Sequence, residues 1–170
     1  HLSLRRQRQM CIRDRAEIVK EKFPEAEMLM GTSTAGIAHA AITATILDLP
    51  MGYVRSGHKD HGRQNQIEGK MEPGTKVVVI EDLISTGGSV LEVVDVLRQA
   101  GAQVLGIASI FTYGLQKGVE RLAAADVVNY SLSDFDTLSK VAAAEGYIAD
   151  KDIAKLTAVS YTHLTLPTKA

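Results

Sequence analysis

Along residues 16–156 the spacing of apolar positions switches back and forth between a helical and a strand period. Residues 16–23 read as the end of a helix, stopped before Pro24. EMLMG at 27–31 is a short strand that leads into a loop of small residues, and the Ala-rich stretch 37–47 has helical spacing. MGYVR at 51–55 predicts a second strand, followed by the polar loop SGHKDHGRQNQ at 56–66. EPGT at 72–75 is a turn between 67–71 and a strong strand of four β-branched residues, Val77 to Ile80. Val90, Val93, Val94 and Leu97 fall at i, i+3, i+4 and i+7, one face of a helix that Gly101 ends. Residues 102–113 are apolar almost throughout, as a strand buried on both faces would be. A helix at 115–124, a strand at 127–130 and two closing helices complete the pattern.

Strands alternating with helices predict an α/β fold with a Rossmann-like, mostly parallel central sheet and helices on both faces. With 170 residues, 45% of them hydrophobic, the chain can bury one core, so residues 16–156 read as a single domain. Residues 1–15 have no clean period and 157–170 are polar and Thr-rich. Both ends are set apart as non-native or disordered segments.

The overall charge of −1 conceals an uneven distribution. Arg5, Arg6, Arg8, Arg13 and Arg15 face only Asp14 in the first 15 residues, whereas 16–156 carries 13 basic and 19 acidic side chains. An acidic core argues against nucleic acid as a partner and makes any basic cluster within it notable. The single cysteine, Cys11, excludes an internal disulfide framework and disfavours a cysteine metal site. No apolar run reaches the length of a membrane span, and no signal-peptide pattern follows the basic start, so a cytoplasmic protein is expected.

The candidate chemistry lies after the strong strand, in VVVIEDLISTGGS. Gly87 and Gly88 let the backbone approach a ligand closely, and Ser85, Thr86 and Ser89 add hydroxyls. The helix that begins near Ser89 directs its N–H groups and positive dipole end into the loop. This is an anion site without a lysine, and it does not match the P-loop pattern of nucleotide triphosphatases. Glu81 and Asp82 would repel a bare phosphate. They make sense if the ligand is a sugar phosphate, because ionised carboxylates accept hydrogen bonds from ribose hydroxyls or from waters on a magnesium ion. A second loop, GTSTAG at 31–36, also opens a helix and suits another anion. Arg55, Lys59 and Arg63, with His58 and His61, concentrate positive charge in a glycine-flanked segment able to close over a ligand and neutralise a leaving pyrophosphate.

VVVIEDLISTGGS resembles the phosphoribosyl-diphosphate signature of the type I phosphoribosyltransferases, and KDHG with IFTYGLQKG is similar to the orotate branch of that family. The resemblance covers about residues 16–156. It implies transfer of ribose 5-phosphate from the diphosphate donor to orotate, giving orotidine 5′-monophosphate and pyrophosphate, as in pyrimidine biosynthesis. By resemblance, Glu81, Asp82, Leu83, Ile84, Ser85, Thr86, Gly87, Gly88 and Ser89 bind the donor. Glu81 and Asp82 take its ribose hydroxyls and 85–89 its 5-phosphate, while Ser85 also contacts orotate. Thr32, Ser33, Thr34, Ala35 and Gly36, together with Arg55, Lys59 and His61, hold the diphosphate. Lys59, Asp82 and His61 are the catalytic candidates.

The resemblance further implies magnesium carried by the substrate with no direct protein ligands. It also implies a homodimer in which loop 55–63 enters the neighbouring active site. The chain departs from the pattern at Ser56, where many members have a second basic residue, and at Ala35, where some have lysine. Members also begin with several dozen further residues that carry part of the orotate pocket, so the chain is expected to be short at its N-terminus. Two alternatives stand beside this reading. One is a purine-type phosphoribosyltransferase. The other is a non-catalytic regulator that senses the donor, which the acidic core disfavours.

Overall fold

The structure, a computed structural model, describes residues 2–55, 66–149, 151–153 and 155–156, and side chains from residue 11 onward. Its elements follow the expected alternation: α1 (Leu2–Lys22), β1 (Met28–Thr32), α2 (Ala35–Leu47), β2 (Met51–Val54), β3 (Ile67–Glu68), β4 (Lys76–Ile84), α3 (Gly88–Gln99), β5 (Gln103–Thr112), α4 (Gln116–Ala124), β6 (Asn129–Asp134) and α5 (Phe135–Ala144). The six strands lie in the order β3-β2-β1-β4-β5-β6. All neighbours pair in parallel except β2 and β3, whose antiparallel pairing caps one edge.

The four β-branched residues explain why β4 is central. Val77, Val78, Val79 and Ile80 are each 0% exposed, because alternate side chains enter the two opposite cores. Val77 and Val79 pack with Val90, Val94 and Leu97 of α3. Val78 and Ile80 pack with Val19 of α1, Phe23 just after it, and Ala40 and Ala44 of α2. A period of two in the strand thus meets helices on both sides of the sheet.

Two of the boundaries that differ from the sequence reading bear on the site. Strand β4 does not end at Ile80. It continues through Ile84, pairing Glu81 with Ser109 and Ile84 with Thr112 of β5, so both acids sit on the strand itself. The second difference is at the N-terminus, where α1 runs unbroken through the boundary set at residue 16. Ile12, Arg15, Ala16, Val19 and Phe23 are all buried, and their spacing is that of a single helix face. An arginine in that stripe hid the period: its long apolar stem can fill a core position that its charge disguises in the sequence. Residues 157–170 lie outside those described.

Candidate active site

Successive connections leave β1 toward β2 on one side and β4 toward β5 and β6 on the other, so the strand order reverses between β1 and β4. Ligands of open α/β sheets bind in the crevice beyond the strand carboxyl ends at such a reversal. A cavity of about 350 Å³ opens there, lined by Thr32 to Ala35 after β1, Val54 and Arg55 after β2, Glu81 to Leu83 at the end of β4, and one face of α3.

Its floor is a short hydrogen-bond chain. The Thr32 hydroxyl donates to Glu81 Oε1 at 2.8 Å, and the same oxygen accepts from the Asp82 N–H at 2.9 Å. The Leu83 N–H donates to Asp82 Oδ1 at 2.8 Å. Glu81 is buried, whereas Asp82 is partly open to the cavity. Burial first, and then the hydrogen bond to the Asp82 carboxyl, raises the Glu81 carboxyl to about 7. Asp82 is therefore the acid that faces the cavity, and Glu81 is the acid held in place beneath it.

Behind the pair lies a cation that the sequence reading had placed outside the fold. The Arg15 side chain is fully buried, and none of its three guanidinium nitrogens has a hydrogen-bond partner among the described residues. Burial lowers it to about 10, against the opposing pull of Cys11, Asp82 and Glu81. His39 of α2 feels the same surroundings. Burial and then Arg15 lower its pKa, Asp82 raises it, and its Nδ1 is buried without a hydrogen-bond partner among the described residues.

The loop between β4 and α3 has the form of an anion cradle. Gly87 caps α3 in the left-handed region at φ 73°, and no side chain caps that end, so the first-turn N–H groups of α3 are directed into the loop. Ser85 and Ser89 are exposed and Thr86 is half-buried. Ile84 differs from its neighbours: its side chain is 2% exposed and belongs to the core under α3, so only its backbone borders the loop.

The loop at 31–36 is built by close packing. A Cβ on Gly36 would lie 2.4 Å from Thr32 Oγ1 and 2.5 Å from the Ile80 carbonyl oxygen, so this glycine seats α2 against β1 and β4. Ser33 donates to the Val54 carbonyl, while Thr34 and Ala35 are exposed at the cavity mouth. Arg55 also lines the cavity and pairs with Glu68 at 3.2 Å. Lys59 and His61, like His58 and Arg63, lie outside the described residues.

The phosphoribosyl transferase domain family matches residues 7–140. Over 155 residues the chain is 56% identical to the orotate phosphoribosyltransferase of Bacillus cereus strain B4264, covering 91% of this chain and 74% of that protein. The chain belongs to the orotate phosphoribosyltransferase family. The orotate phosphoribosyltransferase of Aeropyrum pernix is similar in structure, with a TM-score of 0.72 at 28% identity over 83% of this chain and 77% of that one. The adenine phosphoribosyltransferase of Leishmania tarentolae shares the fold alone, with a TM-score of 0.60 at 19% identity over 75% of this chain and 70% of that one. Within the wider fold, then, architecture does not choose the base, and sequence identity does.

The phosphoribosyl transferase domain match begins nine residues before Ala16. The sequence reading missed several residues of the site. Glu92, Val93 and Val96 line the cavity along with Ser89, at i, i+3, i+4 and i+7 on α3. That spacing is legible in the sequence, but Val93 reads as a core residue there, and Glu92 and Val96 fall outside the stripe at 90, 93, 94 and 97. Gln66 lines the cavity as well. Nothing in the sequence marked it, because its place depends on β3 turning back along β2.

Proposed function

We propose that this protein transfers the ribose 5-phosphate unit of 5-phospho-α-D-ribose 1-diphosphate to orotate, forming orotidine 5′-monophosphate and releasing pyrophosphate. One observation carries the proposal: two carboxylates with different environments, Glu81 and Asp82, stand at the end of β4 directly before a hydroxyl-rich anion loop that opens the uncapped N-terminus of α3, at the reversal of the sheet. A ligand that places hydroxyls between two phosphoryl ends satisfies all three features.

In this reading Ser85, Thr86, Gly87, Gly88 and Ser89 hold the 5-phosphate through backbone N–H groups and hydroxyls. Asp82, oriented from below by Glu81, accepts from the ribose hydroxyls. Thr32 to Ala35 and Arg55 hold the diphosphate, joined by Lys59 and His61. Gly36 acts through packing. Displacement at the anomeric carbon develops positive charge on the sugar and negative charge on the departing diphosphate. The protein's contribution is therefore positioning and charge stabilisation.

Magnesium fits this arrangement as a companion of the substrate. Asp82 can accept from the waters of a hydrated cation. When bound, the ion supplies neutralising charge to the diphosphate. We further propose a cytoplasmic homodimer in which loop 55–63 serves the neighbouring site. No helix among the described residues is long and apolar enough to cross a membrane.

The test is pyrophosphate release with magnesium and donor, with orotate and with adenine in parallel. Release that requires orotate supports the proposal. Release with adenine instead would replace orotate by a purine as the acceptor.

A further inference from the structure

The anion loop contains no cation, and two acids stand at its base. The 5-phosphate dianion would thus be held by hydrogen bonds alone. Helix α4 alters this. It is docked onto the loop so closely that a Cβ on Gly118 would lie 2.6 Å from the Ser85 carbonyl oxygen. One turn beyond Gly118, Arg121 turns back over the loop. Its Nη1 donates to the Thr86 carbonyl at 3.4 Å and would be 3.5 Å from a Cβ on Gly88. Its side chain is otherwise exposed. The guanidinium therefore sits beside the first residues of α3, where the proposed 5-phosphate meets the helix N-terminus.

We infer that Arg121 is a phosphate-contacting residue of the donor site, supplying from α4 the positive charge that the loop lacks. This rests on the function proposed above and deepens it. A guanidinium has five donors, and its long bond to the Thr86 carbonyl uses one of them weakly. A phosphate over Gly88 would take the others in the two-pronged geometry that arginine offers to oxyanions. The small residue at position 118 follows from the same requirement, since only a glycine lets α4 come close enough for Arg121 to reach. Because the guanidinium lies over Thr86 and Gly88, its contribution should be confined to the 5-phosphate end of the donor.

The experiment measures competitive inhibition of the wild-type protein, Arg121→Gln and Arg121→Lys by two halves of the donor, ribose 5-phosphate and pyrophosphate. Thermal melting of each variant checks the fold. Glutamine can still donate to the Thr86 carbonyl but carries no charge, so it separates loop support from phosphate binding. The expected result is about a tenfold weaker inhibition by ribose 5-phosphate in Arg121→Gln, on the scale of one charge-assisted hydrogen bond. Pyrophosphate inhibition should be unchanged, and Arg121→Lys should recover part of the loss. Unchanged inhibition by both halves, or an equal loss for both, would overturn the assignment while leaving the proposed function standing. A wild-type protein inhibited by neither half would overturn the proposed function and this inference together.

Discussion

The Thr32 hydroxyl at the end of β1 donates a 2.8 Å hydrogen bond to Glu81 Oε1 on β4. This bond joins the two strands on either side of the sheet reversal and fixes the carboxyl from which Asp82 is oriented. Both partners are buried, so the geometry is enforced by packing and the proton on Glu81 becomes a matter of stability.

The Glu81 carboxyl, raised by burial and by the Asp82 carboxyl from 4.5 to about 7, loses its proton only near neutrality in the folded chain. Between those values the folded state holds a proton that the unfolded state has released. The stabilisation is therefore complete below about pH 4.5 and is lost as pH rises through about 7, with an upper size of about 3 kcal/mol. The groups that set this carboxyl are Asp82 and Thr32, and its charge is felt in turn by Arg15 of α1. Urea unfolding of the ligand-free protein from pH 5 to 8 should show stability falling with pH, and Glu81→Gln should flatten that slope. An unaltered slope in the variant would assign the dependence elsewhere.

Asp82 is partly open to the cavity, and its Oδ1 accepts from the Leu83 N–H. Asp82→Asn keeps the shape but removes the charge that accepts from ribose hydroxyls. Turnover should fall by about a hundredfold, on the scale of one lost transition-state contact, with the melting temperature nearly unchanged. Activity close to wild type would remove Asp82 from the sugar site.

Lys59 is placed by family resemblance at the diphosphate end. Lys59→Ala should lower turnover and weaken pyrophosphate inhibition while leaving ribose 5-phosphate inhibition intact. Loss of folding in this variant would make the lysine structural.

How much was legible depended on whether a signal was local. Consecutive β-branched residues at 77–80 marked the central strand, and the glycines after it marked the anion loop, because both follow from backbone preferences of neighbouring residues. The continuation of β4 through Glu81 and Asp82 was hidden, since acids are poor strand formers and only pairing with β5 keeps them extended. Arg15 and Arg121 were invisible for a related reason. Their positions arise from how α1 and α4 dock on the sheet and loop, and no neighbour in the sequence announces that.

Arg15 supplies a test of its own. A buried guanidinium with no hydrogen-bond partner among the described residues is a net cost to folding, offset only in part by the pull of Asp82 and Glu81. Arg15→Met keeps the apolar stem in the α1 stripe and removes the unpaired donors. The variant should be more stable than wild type by about 1–3 kcal/mol, visible as a higher urea midpoint. A lower midpoint would show that attraction to the two acids outweighs burial.

Gly36→Ala separates two opposing physical effects. Helix propensity alone favours alanine over glycine by about 1 kcal/mol, and Gly36 lies in the first turn of α2. Space forbids it, however, because the new Cβ would lie 2.4 Å from Thr32 Oγ1 and 2.5 Å from the Ile80 carbonyl oxygen. The threonine cannot rotate away without breaking its bond to Glu81, and the carbonyl belongs to the central strand. Overpacking of this kind costs about 1–3 kcal/mol, so sterics should win and the urea midpoint should fall. Donor binding should weaken as well, since α2, Thr32 and Glu81 shift together. A variant as stable as wild type, with unchanged donor affinity, would show that the junction of α2 with β1 and β4 yields more easily than its close contacts imply.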